Sequence, residues 1–95
     1  MELGGITFEW IPSKAEKNLR KHGFSFDEAA SVFFDPLART GPDTDHSDGE
    51  LRFLIIGHSS SGNFLLVSHT ERGDSIHIIS ARRATPRESR DYEYT

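Results

Sequence analysis

The chain of 95 residues contains no cysteine. That excludes a disulfide framework and a thiolate zinc site, so the fold stands on packing alone or on a partner. No apolar run approaches the ~20 residues needed to span a membrane. The polar start Met1-Glu2-Leu3-Gly4-Gly5 does not resemble a signal peptide, and a cytoplasmic protein is expected. The phosphate-cradling patterns GxxxxGK(S/T) and GxGxxG are missing, as is a serine-nucleophile motif. With 95 residues, the chain has material for one domain and a single modest core.

Positive charge is also in short supply, the formal net charge being −4. Coating nucleic acid by charge alone is therefore excluded, but the sum conceals a local pattern. Lys14, Lys17, Arg20, Lys21 and His22 make the first helical segment basic, and Asp43, Asp45, Asp48 and Glu50 make the middle acidic. The last third mixes arginines with carboxylates, as in IISARRATPRESRDYE.

Alternation in Ile6-Thr7-Phe8-Glu9-Trp10, bounded by Gly5 and Pro12, predicts a short strand. SKAEKNLRKHG predicts a helix opened by Pro12 or Ser13 and closed at Gly23, with Ala15, Leu19 and Asn18 sharing its inner face. Ser25, three residues before Glu28, opens a second helix, which Asp35-Pro36 ends. A strand over 37–40, a polar loop and three strands over 51–58, 63–70 and 75–83 follow, the last three joined as an antiparallel meander by SSSG and ERGD. Thr85-Pro86 starts a short final helix. The expected class is α+β, in the order β-α-α-β-β-β-β-α, with two N-terminal helices and a short C-terminal helix on a mainly antiparallel sheet. The whole of 1–95 forms one domain.

If both hairpins close symmetrically, Arg52 falls opposite His69 and shares a face with Leu54, Ile56, Leu65, Val67, Ile78, Ser80 and Arg82. Phe53, Ile55, Phe64, Leu66, Ser68, His77, Ile79 and Arg83 take the other. Both faces are apolar in the middle, so one is expected under the N-terminal helices and the other under the last helix or a partner. His69 with Arg52 and Glu71 would combine a proton-transfer group with a cation for phosphate; the plainer reading is a hairpin-end histidine with a local hydrogen bond. Arg82 and Arg83 have no carboxylate close in sequence and are expected free to hold phosphate bidentately, whereas Glu88, Asp91 and Glu93 would pair with neighbours such as Arg87 and Arg90. Lys14, Lys17, Arg20 and Lys21 are either a solvated face or a track for an RNA backbone. In DTDHSDGE, His46 lies among carboxylates, but the calcium-loop pattern is incomplete and the segment reads as a polar loop. No metal or other cofactor is expected.

The segments FEWIPSKAEKNLRKHGFSFDEAASVFFDP, DHSDGELRFLIIGHSS and ISARRATPRESRDYE together resemble the BrnT family over about Phe8 to Glu93. The order and spacing of NLRKHG, FDEA, DP, LRF, IG, HTERGD and IISARRAT carry the resemblance. It implies a toxin of a type II toxin–antitoxin module with a RelE-like fold, countered by a BrnA antitoxin. The activity it implies is cleavage of RNA, inhibiting translation. On this reading His69 or Glu71 transfers protons, Arg52 with Arg82 or Arg83 holds the scissile phosphate, and the α-helical cations Lys14, Lys17, Arg20 and Lys21 follow the RNA backbone. A homodimer or a toxin–antitoxin hetero-oligomer is the expected assembly. The competing class is a non-catalytic binding module, a corepressor that modulates operator binding by an antitoxin; cations converging in one concave groove would favour the ribonuclease.

Overall fold

The computed structural model describes residues 1–47 and 49–93. Asp48 and the side chain of Glu93, both weighed above, lie outside the described residues. The chain runs β1 (Glu2–Leu3), β2 (Ile6–Glu9), α1 (Pro12–His22), α2 (Phe26–Ser31), a 3-10 turn (Val32–Phe34), β3 (Arg39–Pro42), β4 (Phe53–His58), β5 (Phe64–Arg72), β6 (Ser75–Arg83) and α3 (Pro86–Glu93). The strands form one sheet in the order β1-β2-β6-β5-β4-β3. Among the described residues only the β2–β6 pair is parallel. The two-residue strand β1, which folds back on β2, and the start of β3 at Arg39 rather than Leu37 depart from the sequence reading. Among the described residues no helix is long and apolar enough to cross a membrane.

Helix α1 begins with Pro12 in its first turn and ends where the Gly23 N–H bonds the Leu19 carbonyl at 2.9 Å, with Arg20, Lys21 and His22 complementing the dipole of its last turn. Of the expected inner face, Asn18 is buried and Ala15 packs against the core, but Leu19 is half exposed. The reason lies in the sheet. Strand β2 pairs with β6 only from Ser75 to His77, which leaves the edge of β6 open beyond that point. The Asn18 amide closes it, donating to the Ala81 carbonyl at 2.8 Å and accepting from the Ala81 N–H at 3.0 Å. It also donates to Phe24 O at 3.1 Å, so one side chain substitutes for a missing strand and ties the α1–α2 corner to it.

Ser25 caps α2 through Glu28 N at 3.0 Å, as its spacing predicts. The Glu28 carboxylate does not turn back to complete a capping box. Its Oε2 accepts from Ser59 Oγ and Asn63 Nδ2, both at 2.7 Å, clamping the β4–β5 turn to α2. Phe26, Ala29, Ala30 and Val32 meet Phe8, Ile55, Leu65, Val67, Ile78 and Ala81 in the core, on one face of the sheet.

Both hairpin turns differ from symmetric closure, and the difference decides which side chains share a face. Ser59 N bonds Asn63 O at 2.8 Å and Gly62, with φ of 81°, supplies a left-handed residue, so Ser59 and Asn63 face each other across the turn and the β4–β5 register is shifted by one residue from the one SSSG implies. Phe53, not Arg52, therefore pairs with His69. The β5–β6 turn is the tighter two-residue Gly73-Asp74, with Arg72 opposite Ser75, and a bulge at Ser68/His69 leaves Ile79 without a partner. A one-residue slip moves a whole strand's side chains to the opposite face. The covered face carries Phe53, Ile55, Leu65, Val67, His69, Ile78, Ala81 and Arg83, while Leu54, Ile56, Leu66, Ser68, Ser80 and Arg82 point to the other.

Candidate nucleic-acid interface

Helix α3 covers only one end of that second face. Tyr92 packs edge-on against Phe64 at 4.8 Å, and Glu88 reaches Arg82. The remainder of the face is open, and the loop leaving β3 rises beside it. Together they enclose a cleft of about 340 Å³ whose floor includes Leu54, Leu66, Ser68 and Ser80 and whose walls include Arg52, Arg82, Asp43 and His46. Two arginines distant in sequence thus meet at one concavity.

The loop is built by its own hydrogen bonds. Asp43 N donates to Arg52 O at 2.8 Å, and the Ser47 hydroxyl donates to Asp43 O at 2.7 Å while accepting from Arg52 N at 3.0 Å. This locks the segment that carries His46 to the segment that carries Arg52. His46 Nδ1 lies 3.1 Å from both carboxylate oxygens of Asp43. The Asp43 side chain is 11% exposed and that of His46 68% exposed, so a nearly buried carboxylate holds a ring that remains open to the solvent. The Arg52 side chain has no ion pair among the described residues.

Arg82 is not free, contrary to expectation. Its Nη1 and Nη2 each donate to a Glu88 oxygen at 2.9 Å, a bidentate fork. Glu88 also accepts from Thr85 N at 2.7 Å while its own N–H bonds Thr85 Oγ1 at 3.2 Å, a complete capping box at the start of α3. The hydrogen bond from Arg82 holds the Glu88 carboxyl below its usual range, and Arg82 is raised in return. A planar oxyanion, that of Glu88, therefore sits on the guanidinium. Sequence distance misleads here because six residues of strand end and helix start fold back on themselves.

The other expected site residues lie elsewhere. His69 faces the core on the helix-covered side, 2% exposed, its ring 4.8 Å from that of Phe33 and 5.9 Å from that of Phe53. Burial holds its pKa below the ordinary value, against weaker opposing effects of the Val67 backbone and the Glu71 charge. The expected His69–Arg52 juxtaposition is thus overturned by the one-residue shift in β4–β5 register. Glu71 is exposed near the β5–β6 turn, and Arg83 stands over the Phe24 ring at 5.1 Å on the covered side. Lys14, Lys17, Arg20 and Lys21 are exposed on α1, where Arg20 pairs with Glu16 at 3.5 Å; none of the four lines the cleft.

Two further polar sites flank the sheet. At the β2 side of the open face, Arg72 grips Glu50 at 3.0 and 3.1 Å, and His77, lowered in pKa by burial and by Arg72, lies 4.0 Å from Glu9. At the other end, Asp35 accepts from His58 N at 2.8 Å, Leu37 N at 2.9 Å and the Tyr92 hydroxyl at 3.1 Å. Burial would raise the Asp35 pKa, but these three donors outweigh it and hold it low. An apolar cleft of about 540 Å³ with Leu3, Phe34 and His58 in its lining adjoins this aspartate and contains no arginine or lysine. Among the described residues no three or more His, Asp and Glu side chains gather as a metal site requires. Sequence reasoning missed the His46–Asp43 pair; the i, i+3 spacing in DTDH was its only signal.

The comparisons with known proteins agree with this architecture. The crystal structure of the ribonuclease toxin BrnT from Brucella abortus superposes with a TM-score of 0.66 at 23% identity, covering 84% of this chain and 97% of that one. The two share the fold. No curated protein matches the chain significantly. The family model for the ribonuclease toxin BrnT of type II toxin–antitoxin systems matches residues 10–88. With most of its length so matched, the chain belongs to the BrnT family of ribonuclease toxins of type II toxin–antitoxin systems.

Proposed function

We propose that this protein is an endoribonuclease that cleaves RNA without a metal ion in the open-face cleft, inhibits translation in the cytoplasm, and is neutralised by a BrnA-type antitoxin. The observation that carries this reading is the convergence of Arg52, from the segment leading into β4, and Arg82, from β6, on one concave surface left uncovered by helices. Guanidinium groups bind phosphate bidentately and stabilise charge that grows on it during displacement. Internal attack by a ribose 2′-hydroxyl needs only such cations and groups to move protons, which the cleft can supply. Serine hydroxyls and the partly buried Leu54 and Leu66 suit a sugar and a base edge better than a bare charged surface would. The cations of α1 are secondary on this account and contribute long-range attraction to the RNA.

The same partly buried leucines, with Leu37 and Leu51 at 70% and 67% exposure, also suit a protein partner and favour a second reading as a non-catalytic subunit bound to an antitoxin. Cleavage of a labelled RNA in EDTA by the purified chain separates the two. The ribonuclease reading expects cutting that falls roughly 10²-fold in Arg52→Ala, the order seen when one charge-stabilising donor is removed. A folded wild-type protein that leaves RNA intact would establish the second.

A further inference from the structure

We propose that His46, oriented by Asp43, is the catalytic residue that takes the proton from the ribose 2′-hydroxyl. The inference rests on the cleft being the RNA site and adds what Arg52 and Arg82 cannot provide. An arginine stays protonated and moves no proton near neutral pH. Of the chain's 5 histidines, His46 alone lines the cleft: His69 is in the core, His77 sits nearly buried beside Glu9, His58 belongs with Asp35, and His22 ends α1.

The geometry selects the base form of the ring. Asp43 lies 3.1 Å from Nδ1 through both oxygens, which places the proton of the neutral imidazole on Nδ1 and leaves the lone pair on Nε2. No hydrogen bond to Nε2 is made among the described residues. Asp43 is itself fixed by its backbone bonds across the loop, so it acts as a positioning residue. The arrangement puts an oriented base on the same wall of the cleft as the backbone that carries Arg52.

The step follows. Nε2 accepts the 2′-hydroxyl proton as the 2′-oxygen forms a bond to the adjacent phosphorus, with Arg52 and Arg82 on the non-bridging oxygens. The bond from phosphorus to the 5′-oxygen breaks, that oxygen leaves with the bonding pair, and it takes a proton from the imidazolium or from water. The products are a 2′,3′-cyclic phosphate and a 5′-hydroxyl, and no oxidant, metal or second substrate is consumed.

The test is steady-state cleavage of a single labelled RNA in EDTA by wild type, His46→Ala, Asp43→Asn and Arg52→Ala, each shown folded by circular dichroism. The His46 ring is exposed, so its removal leaves the core untouched. His46→Ala is expected to lower kcat about 10²–10⁴-fold with little change in KM, and added imidazole to restore part of the rate. Asp43→Asn, which keeps shape and loses charge, is expected to lower kcat about 10–100-fold at unchanged KM. Wild-type kcat in His46→Ala, or a rise in KM without loss of kcat, or no imidazole rescue, overturns the assignment while leaving the cleft as the RNA site. No cleavage by wild type, or Arg52→Ala as active as wild type, removes the cleft reading and this inference with it.

Discussion

Glu88→Gln isolates the contact between α3 and the cleft. Glutamine keeps an acceptor for Thr85 N, so the capping box survives, but the charge that holds Arg82 is gone. Side-chain exposures of 41% for Arg82 and 28% for Glu88 put the pair between buried and surface ion pairs. Solvent screening at that exposure limits its contribution to about 0.5–1 kcal/mol, which is the expected loss of unfolding free energy in urea. RNA affinity is expected to move the other way. A phosphate must displace Glu88 from Arg82, so removing the competitor strengthens binding by the same amount, roughly two- to fivefold. The assay is fluorescence anisotropy with a 2′-O-methyl RNA that cannot be cut, repeated at two salt concentrations, since an electrostatic gain must shrink as salt rises. Glu16→Gln is the control: it removes one negative charge from a carboxylate paired with Arg20 on α1, away from the cleft. Equal gains in both variants, or no gain in Glu88→Gln, would refute the competition.

The remaining predictions concern the scaffold. Because Glu88 titrates below its ordinary value of 4.5 in the folded protein, its ionised form stabilises the fold above that value; the stability gap between wild type and Glu88→Gln should be full at pH 7 and close as pH falls through the depressed folded-state pKa, read as urea midpoints across an acid series. Asn18→Ala leaves the Ala81 N–H and two carbonyls without a partner in the buried β6 edge, and should cost roughly 2–4 kcal/mol in the same unfolding assay. His69→Phe should retain wild-type cleavage within assay error, because that ring packs between Phe33 and Phe53 on the covered face.

Elements were legible in this sequence wherever local chemistry sets them. The Ser25 cap, the Gly23 stop, β6 from Ser75 to Arg83 and α3 from Pro86 all stand where the residues place them. Register was not legible, because it depends on how a turn closes. SSSGN can close as a four-residue loop or with Gly62 left-handed one residue later, and only the clamp from Glu28 to Ser59 and Asn63 in the folded chain selects the second. That single residue, with the bulge at Ile79, separates His69 from Arg52 and Arg82. The Asn18 edge contact was hidden for a different reason: its partner Ala81 is 63 residues away. His46 was passed over because a histidine among aspartates looks like solvated loop until the Ser47 bonds fold that loop against Arg52.

Whether RNA lies on the open sheet face is read by amide chemical-shift mapping of the labelled protein during titration with a 2′-O-methyl RNA. Perturbations are expected to concentrate at Asp43–Ser47, Arg52, Ser68, Ser80 and Arg82. Perturbations confined to Lys14, Lys17, Arg20 and Lys21 on α1, or none at saturating RNA, would contradict that placement.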